Sequence, residues 1–267
     1  MQEILSTLQV GHHVLDLGSG PAGSFPANHT MATVFRIDSE LHNPDLPNLA
    51  LADAAALPFP AACFEAAIAN HTLEHFANLE GALAELKRVL KPNAMLYVAV
   101  PDASTLTDRI YRWLSKGGGH LNPFDDAERF SELVAMKTGR PHAVTRLLYS
   151  SFSFLNRCNS PVPRPRRLWL VGGGYEWSLK LAQVFFHAVD RTFGTRLRVY
   201  GWAFYFGPVN NVDRLPLPNM CVRCGSAHAT SYLRQLAVAK PGLIGSFRCP
   251  QCGAKNLGLW LSEQESL

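Results

Sequence analysis

Between residues 11 and 102, short apolar runs alternate with stretches patterned at helical spacing. Runs at 13–17, 33–37, 65–69 and 94–100 read as strands, bounded by polar and turn residues. Residues 2–8 read as a short helix. Residues 78–89 read as a longer one, with Leu79, Leu83, Leu86 and Leu90 recurring on one face. Lys91-Pro92-Asn93 predicts a stop and a turn before the last of these strands. Strands alternating with helices imply an α/β fold, a mostly parallel sheet with helices on both faces.

The periodicity becomes less regular from about 103 to 206. Helices are expected near 104–116, 125–138 and 176–193, and extended segments near 144–154 and 197–206. The stretch SPVPRPRR at 160–167, with three prolines and three arginines, is expected to be a loop. LPLPN at 215–219 marks a boundary, and cysteine pairs dominate the remaining residues. The expected division is therefore a domain over 1–214, with an irregular insertion over about 103–196, and a small appendage over 215–267.

Composition narrows the class. Hydrophobic residues make up 47% and charged residues 17% of 267 residues, enough apolar material for a core and unlike a disordered chain. Met1 to Val10 lacks a basic export signal, and the most apolar later stretch, 168–189, is interrupted by glycines, Glu176 and Lys180. The expectation is a cytoplasmic chain without a membrane span. Charge is uneven. Residues 1–100 hold four Lys/Arg against ten Asp/Glu, net −6, and the remainder 21 against 11, net +10. That basic half suits a phosphorylated, acidic or nucleic-acid partner or an anionic membrane surface, and equally suits a plain solvated face.

The chemistry begins where the first strand meets a glycine turn, His13-Val14-Leu15-Asp16-Leu17-Gly18-Ser19-Gly20. Glycines there let the backbone approach a nucleotide-like ligand. Gly18-x-Gly20-x-x-Gly23, with Asp38 twenty residues after Gly18, also fits a dinucleotide fingerprint, but Pro21 and Pro26 disturb the helix that should come next. Asp16, two residues before the first glycine, could hold an ammonium or amino-acid head group. VLDLGSG resembles the first motif of class I S-adenosylmethionine-dependent methyltransferases, and FRIDSE, LADAAALPFP, CFEAAIANHTLEHF and LKRVLKPNAMLYVAVPD continue the resemblance in order over about 90 residues. The resemblance implies a Rossmann-like class I methyltransferase sheet, mostly parallel with its last strand antiparallel. It also implies S-adenosylmethionine as cofactor. Asp16, Gly18, Ser19 and Gly20 would line the loop, Asp38 and Ser39 the ribose, Asp53 and Ala54 the adenine, and Asn70 and His71 the sulfonium and methyl group. Two glycines depart from the family pattern: Ala22 stands where the third is expected, and Asn93-Ala94 replaces a second in the later turn.

Transfer from a sulfonium is an in-line displacement, so the protein must align the acceptor and exclude water, with a general base where the acceptor is a hydroxyl. His71 and His120 are the candidate catalytic residues. His71 stands at the mouth of the fourth strand, and His120 in the glycine-rich run Gly117-Gly118-Gly119-His120 that could form a lid. His75 reads as a packing residue. No Asn-Pro-Pro-Tyr or Pro-Cys signature appears after the fourth strand, so an oxygen acceptor is preferred to a nucleobase nitrogen or carbon.

Cys221-x-x-Cys224 and Cys249-x-x-Cys252, each followed by glycine, form two matching turns whose thiolates complete a tetrahedral S₄ site. A structural zinc ion fits, making 215–267 a zinc ribbon, with disulfides as the less favoured alternative in a cytosolic chain. Arg223, Arg234, Lys240, Arg248 and Lys255 lie in or near the ribbon, and Tyr232, Phe247 and Trp260 add aromatic surface. Three functions are expected in order of preference. The first is methylation of a small molecule, sugar or lipid-linked glycan, the acceptor class of the branch that 63–102 resembles. The second is an RNA methyltransferase gripping RNA with the ribbon, and the third a non-catalytic interaction module.

Overall fold

The apolar runs form the centre of a seven-stranded sheet. Its strands are β1 (His13–Leu17), β2 (Thr33–Asp38), β3 (Leu49–Leu51), β4 (Phe64–Asn70), β5 (Leu90–Pro101), β6 (His142–Tyr149) and β7 (Val199–Phe206). They lie in the order β3-β2-β1-β4-β5-β7-β6. The pairs β1–β2, β1–β4, β2–β3 and β4–β5 are parallel. Val14, Leu15 and Leu17 of β1 and Ala66 to Ala69 of β4 are fully buried, as expected of strands covered on both faces. The chain runs outward from β1 to β3 and then restarts on the other side with β4. The carboxyl ends of β1 and β4 therefore flank the switch point where such sheets bind ligands.

This computed structural model describes residues 1–114, 119–158, 174–210, 212–236, 239–240 and 245–258. The expected loop at 160–167, Gly117 and Gly118, the Lys240 side chain and Trp260 lie outside the described residues. The helices are α1 (Gln2–Leu5), α2 (Leu79–Val89), α3 (Leu106–Leu114), α4 (Ala127–Thr138), α5 (Glu176–Phe193) and α6 (Thr230–Gln235). Asn78 caps α2 by accepting the Gly81 N–H at 2.9 Å, and Leu83 and Leu86 of the expected face are buried. Among the described residues, no helix is long and apolar enough to cross a membrane.

Several local expectations change. Lys91-Pro92-Asn93 is not a separate turn, because β5 already begins at Leu90. Its register jumps from Phe64↔Leu90 to Ala66↔Met95, so the extra residues bulge out of the ladder. The buried Arg140 guanidinium holds the bulge, donating to Lys91 O at 2.8 Å and Thr138 O at 2.8 Å. Between the glycine turn and β2 the backbone makes only a 3₁₀ turn at Ala27–His29, since Pro21 and Pro26 withhold the amides a helix would need. The expected helix 2–8 stops at Leu5, and the extended segment 144–154 gives way to a 3₁₀ turn at Ser153–Leu155.

Contacts group the chain into two compact units. The first comprises Met1–Pro101, Gly119–Thr145 and Trp202–Arg214; the second comprises Asp102–Gly118, Arg146–Gly201 and Leu215–Leu267. In the second unit Val222, from the first cysteine turn, packs with Leu114, Phe152, Leu155 and Leu179. The Asn156 amide donates to Val222 O at 2.7 Å, and Arg223 pairs with Glu176 at 2.6 Å. The cysteine-bearing segment thus shares a core with residues of the middle zone. It carries the hairpin β8 (Asn219–Met220) and β9 (Ala227–His228), then α6, then β10 (Ala239–Lys240), β11 (Gly245–Arg248) and β12 (Lys255–Gly258).

Candidate active site

The strand-to-loop transition after β1 depends on glycine. Gly18 has φ +68° and donates its N–H to Ile37 O at 2.8 Å, closing the loop onto the end of β2. A Cβ at Gly18 would overlap Thr72 Oγ1 and lie 2.6 Å from Thr72 Cβ. Gly20, at φ +61°, differs: a Cβ there would meet nothing within 4 Å, so its open side faces free space. The Gly20 N–H donates to Asp38 Oδ2 at 2.8 Å. Ser19 is buried, and its Oγ has no hydrogen-bond partner among the described residues.

Asp16 lies beneath this loop, fully buried. Its Oδ2 accepts the Ser24 N–H at 2.9 Å and stands 3.8 Å from Arg36 Nε, while Oδ1 has no hydrogen-bond partner among the described residues. Burial raises its pKa to about 6, despite the opposing Ser24 hydrogen bonds and the Arg36 charge. A polar cofactor with an ammonium would use a buried carboxylate oxygen and a buried hydroxyl with unused capacity, set beside an open glycine cradle. The residues present fit the expected cofactor.

Asp38 closes β2 and accepts from Gly20 and, through Oδ1, from Glu40 N at 3.1 Å. Each carboxylate oxygen keeps a further acceptor direction. Ser39 is next in the chain and exposed. Asp53 is exposed and caps its own turn, accepting Ala55 N at 2.9 Å through Oδ1, and Ala54 beside it is buried. That turn is tied to α2. Glu85 accepts Leu57 N at 2.8 Å, and Arg88, paired with Glu85, donates to Phe59 O at 2.7 Å and Leu57 O at 2.9 Å.

At the mouth of β4, Asn70 is half-buried and His71 takes φ +55°, its N–H held by Ala99 O at 2.9 Å. Burial, with the neighbouring His120 and His75 imidazoles, pushes the His71 pKa down to about 4. His71 is therefore an unprotonated imidazole at physiological pH, with a lone pair but less basicity than a free histidine. His120 lies in this neighbourhood, with its ring 5.0 Å from that of His75. Sequence reasoning took His75 as a packing residue and did not single out the buried Glu74; both sit in the 3₁₀ turn Leu73–His75 and face the same group. It also missed Arg36 under the loop and Thr72 against Gly18.

In the second unit the four cysteines converge. Cys221 Sγ lies 3.5 Å from Cys252 Sγ and Cys224 Sγ 3.7 Å from Cys249 Sγ, with all four sulfurs within 4.8 Å of one another. A tetrahedral zinc site with bonds near 2.3 Å needs sulfur–sulfur edges of about 3.8 Å, whereas a disulfide needs about 2.05 Å. All four are free thiols. Each pair closes a turn: Gly225 N donates to Cys221 O at 3.0 Å and Gly253 N to Cys249 O at 2.9 Å. Hydrogen bonds from Cys224 and Cys249 hold the Cys221 thiol far below its ordinary pKa. His228 Nε2, 3.4 Å from Cys249 Sγ, is a neighbour the spacing did not reveal.

Residues 15–98 match the family model described as a methyltransferase domain. A sterol 4-C-methyltransferase of Caenorhabditis elegans is 30% identical over 100 residues, covering 32% of this chain and 30% of that protein. An O-methyltransferase of Penicillium expansum is 32% identical over 104 residues, covering 33% of this chain and 38% of that protein. The chain thus spans about a third of the length of these curated relatives. A SAM-dependent methyltransferase from Archaeoglobus fulgidus superposes with a TM-score of 0.50 at 12% identity, over 76% of this chain and 88% of that one. The fold is the Rossmann-like class I methyltransferase fold, and the match to the methyltransferase-domain model lies over its strands β1 to β5.

Proposed function

We propose that this chain moves a methyl group from S-adenosylmethionine to an oxygen of a small molecule, sugar or lipid-linked glycan. The observation that carries the reading is the open Gly20 cradle locked to Asp38 at the ends of β1 and β2, with a neutral His71 at the end of β4. The bound cofactor supplies a methyl carbon made electrophilic by its sulfonium. Gly18, Ser19 and Gly20 line it. Asp16 Oδ1 takes the ammonium, Asp38 and Ser39 the ribose, Asp53 and the Ala54 N–H the adenine, and Asn70 borders the sulfonium. His71 accepts the acceptor hydroxyl's proton, with His120 beside it. The four cysteines hold a structural zinc ion, which calls for a reducing compartment such as the cytoplasm.

RNA is the weaker reading because two of the ribbon's arginines are engaged internally. Arg223 pairs with Glu176, and Arg248 donates to Gly253 O at 3.0 Å. Calorimetric titration of zinc-replete protein with S-adenosylmethionine and S-adenosylhomocysteine tests the proposal. Micromolar binding that weakens at least tenfold in Asp38→Ala and in Asp53→Ala is expected, and justifies an acceptor screen. Folded protein that binds neither compound refutes the reading and leaves a zinc-bearing interaction module.

A further inference from the structure

The Leu73–His75 turn and the Gly119–Asn122 segment are far apart in sequence but laced together. Leu121 N and Asn122 N both donate to Glu74 O, at 2.7 and 3.0 Å. The Asn122 side-chain amide donates to Leu73 O at 3.1 Å and to Phe76 O at 2.8 Å. His75 Nδ1 hydrogen-bonds Gly119 O at 3.0 Å. Gly119 has φ +73°, and a Cβ on it would come 3.3 Å from that same nitrogen. These contacts hold His120 beside His75 and close to a carboxylate that is only 1% exposed.

One ligand atom each from Glu74, His75 and His120 lies within 4.8 Å of the others. Glu74 Oε1 stands 3.9 Å from His75 Nε2 and 3.9 Å from His71 Nδ1. Such separations are too long for hydrogen bonds, and the side chains need to draw in by about 0.5–0.9 Å to share one ion. With metal–ligand bonds of 2.0–2.2 Å, neighbouring donors stand about 3.0 Å apart in an octahedron and about 3.4 Å in a tetrahedron. The Gly119 carbonyl accepts from a proton on His75 Nδ1, which turns the Nε2 lone pair toward Glu74. Metal-ligating histidines are commonly fixed in this way through their other nitrogen.

We propose that Glu74, His75 and His120 form a second metal site, separate from the cysteine centre, that takes one divalent transition-metal ion, with His71 at its edge. Imidazole and carboxylate donors favour cobalt, zinc, iron or manganese over calcium and magnesium. The site borders the end of β4, where the proposed reaction places the acceptor oxygen. An ion there supplies Lewis-acid polarisation of that oxygen and helps to orient it. This role, though not the ion binding itself, rests on the methyltransferase reading.

Cobalt(II) titration of the whole chain, prepared with a single zinc equivalent held by the four cysteines and no excess zinc, followed by visible absorption, tests the site. One ion per chain should bind, with a ligand-field spectrum free of thiolate charge-transfer bands. Affinity should fall at least tenfold in His75→Ala and again in His120→Ala, both side chains being partly exposed and removable without opening the core. Glu74→Gln, checked for folding by its melt, should behave alike. Absence of cobalt binding at millimolar concentration overturns the proposal. So do a spectrum carrying thiolate bands and affinity unchanged in the histidine variants. S-Adenosylmethionine titration of the same samples separates the outcomes, since cobalt binding without cofactor binding would sink the methyltransferase reading and leave the metal site standing.

Discussion

Gly18 and Gly20 share a positive φ and stand two residues apart, but the structure assigns them different work, and alanine at each should separate the two. At Gly18 an added methyl is opposed twice. The left-handed backbone costs a non-glycine residue about 1–2 kcal/mol. Forcing the methyl into Thr72, whose Cβ would lie 2.6 Å away, costs about 1–3 kcal/mol more by overpacking. Gly18→Ala should therefore lose about 2–5 kcal/mol, lowering the melting temperature by roughly 5–15 °C at the usual scaling for a domain this large. Thr72→Ala in the same chain removes the overlapping Oγ1 but not the Cβ. The double variant should recover part of the steric loss, a coupling of about 1 kcal/mol. Gly20→Ala carries only the backbone cost of about 1–2 kcal/mol, because its Cβ meets nothing. Its methyl would instead fill the cradle and weaken S-adenosylmethionine binding at least tenfold. Thermal melts and calorimetric titrations on these three variants, Thr72→Ala alone and wild type supply both readouts. If Gly18→Ala melts like wild type, the packing account is wrong. If Gly20→Ala binds the cofactor like wild type, the open side of that glycine is not the cofactor's seat.

Asp16 gives a stability test with a definite sign. Its pKa is raised from 3.8 to about 6 on folding, so the folded state holds the extra proton and stability declines as pH rises from about 4 to 6, then levels off. The decline amounts to about 3 kcal/mol. Asp16→Asn should abolish this component in melts across that range, and an unchanged slope refutes the buried-charge account. At the cysteine centre, elemental analysis should find one zinc per chain, and Cys224→Ser should lose it together with cooperative melting of the second unit. Unchanged zinc content in Cys224→Ser combined with His75→Ala, which removes the second metal site as well, would refute the cysteine assignment. With an acceptor identified, His71→Ala should lower turnover at least a hundredfold while changing cofactor affinity less than threefold. Wild-type turnover would remove His71 as the base.

Residues whose roles depend on strand ends were legible, and those that depend on loop closure were not. Asp38 and Asn70 end strands whose apolar runs announce themselves, so their position at strand ends follows from the pattern, while the roles expected of them come from the family resemblance. Glu74 and His75 offer no such cue. LEHF precedes the expected helix and carries no pattern of its own, whereas the backbone makes one 3₁₀ turn that brings both side chains near His120. The partner that fixes this, Asn122, satisfies the Leu73 and Phe76 carbonyls, a closure between distant residues that leaves no periodicity. The edge strand β3 was missed because Leu-Ala-Leu is only three residues long and lies in an alanine- and leucine-rich stretch that shows no strand period.

Charge shows the same limit from the other side. The net +10 of residues 101–267 counts every arginine alike, but Arg140, Arg146 and Arg198 are each under 5% exposed. Arg140 holds a bulge by its carbonyls, and Arg146 donates to Leu215 O at 2.7 Å. Burial lowers Arg198 to about 10, with the Tyr149 ring and Asp190 acting against the shift. The basic surface a ligand would meet is smaller than the composition implies. An acceptor held by shape and by a few placed polar groups agrees with that better than a polyanion held by many surface charges, because counterion release rewards only cations that can reach phosphates.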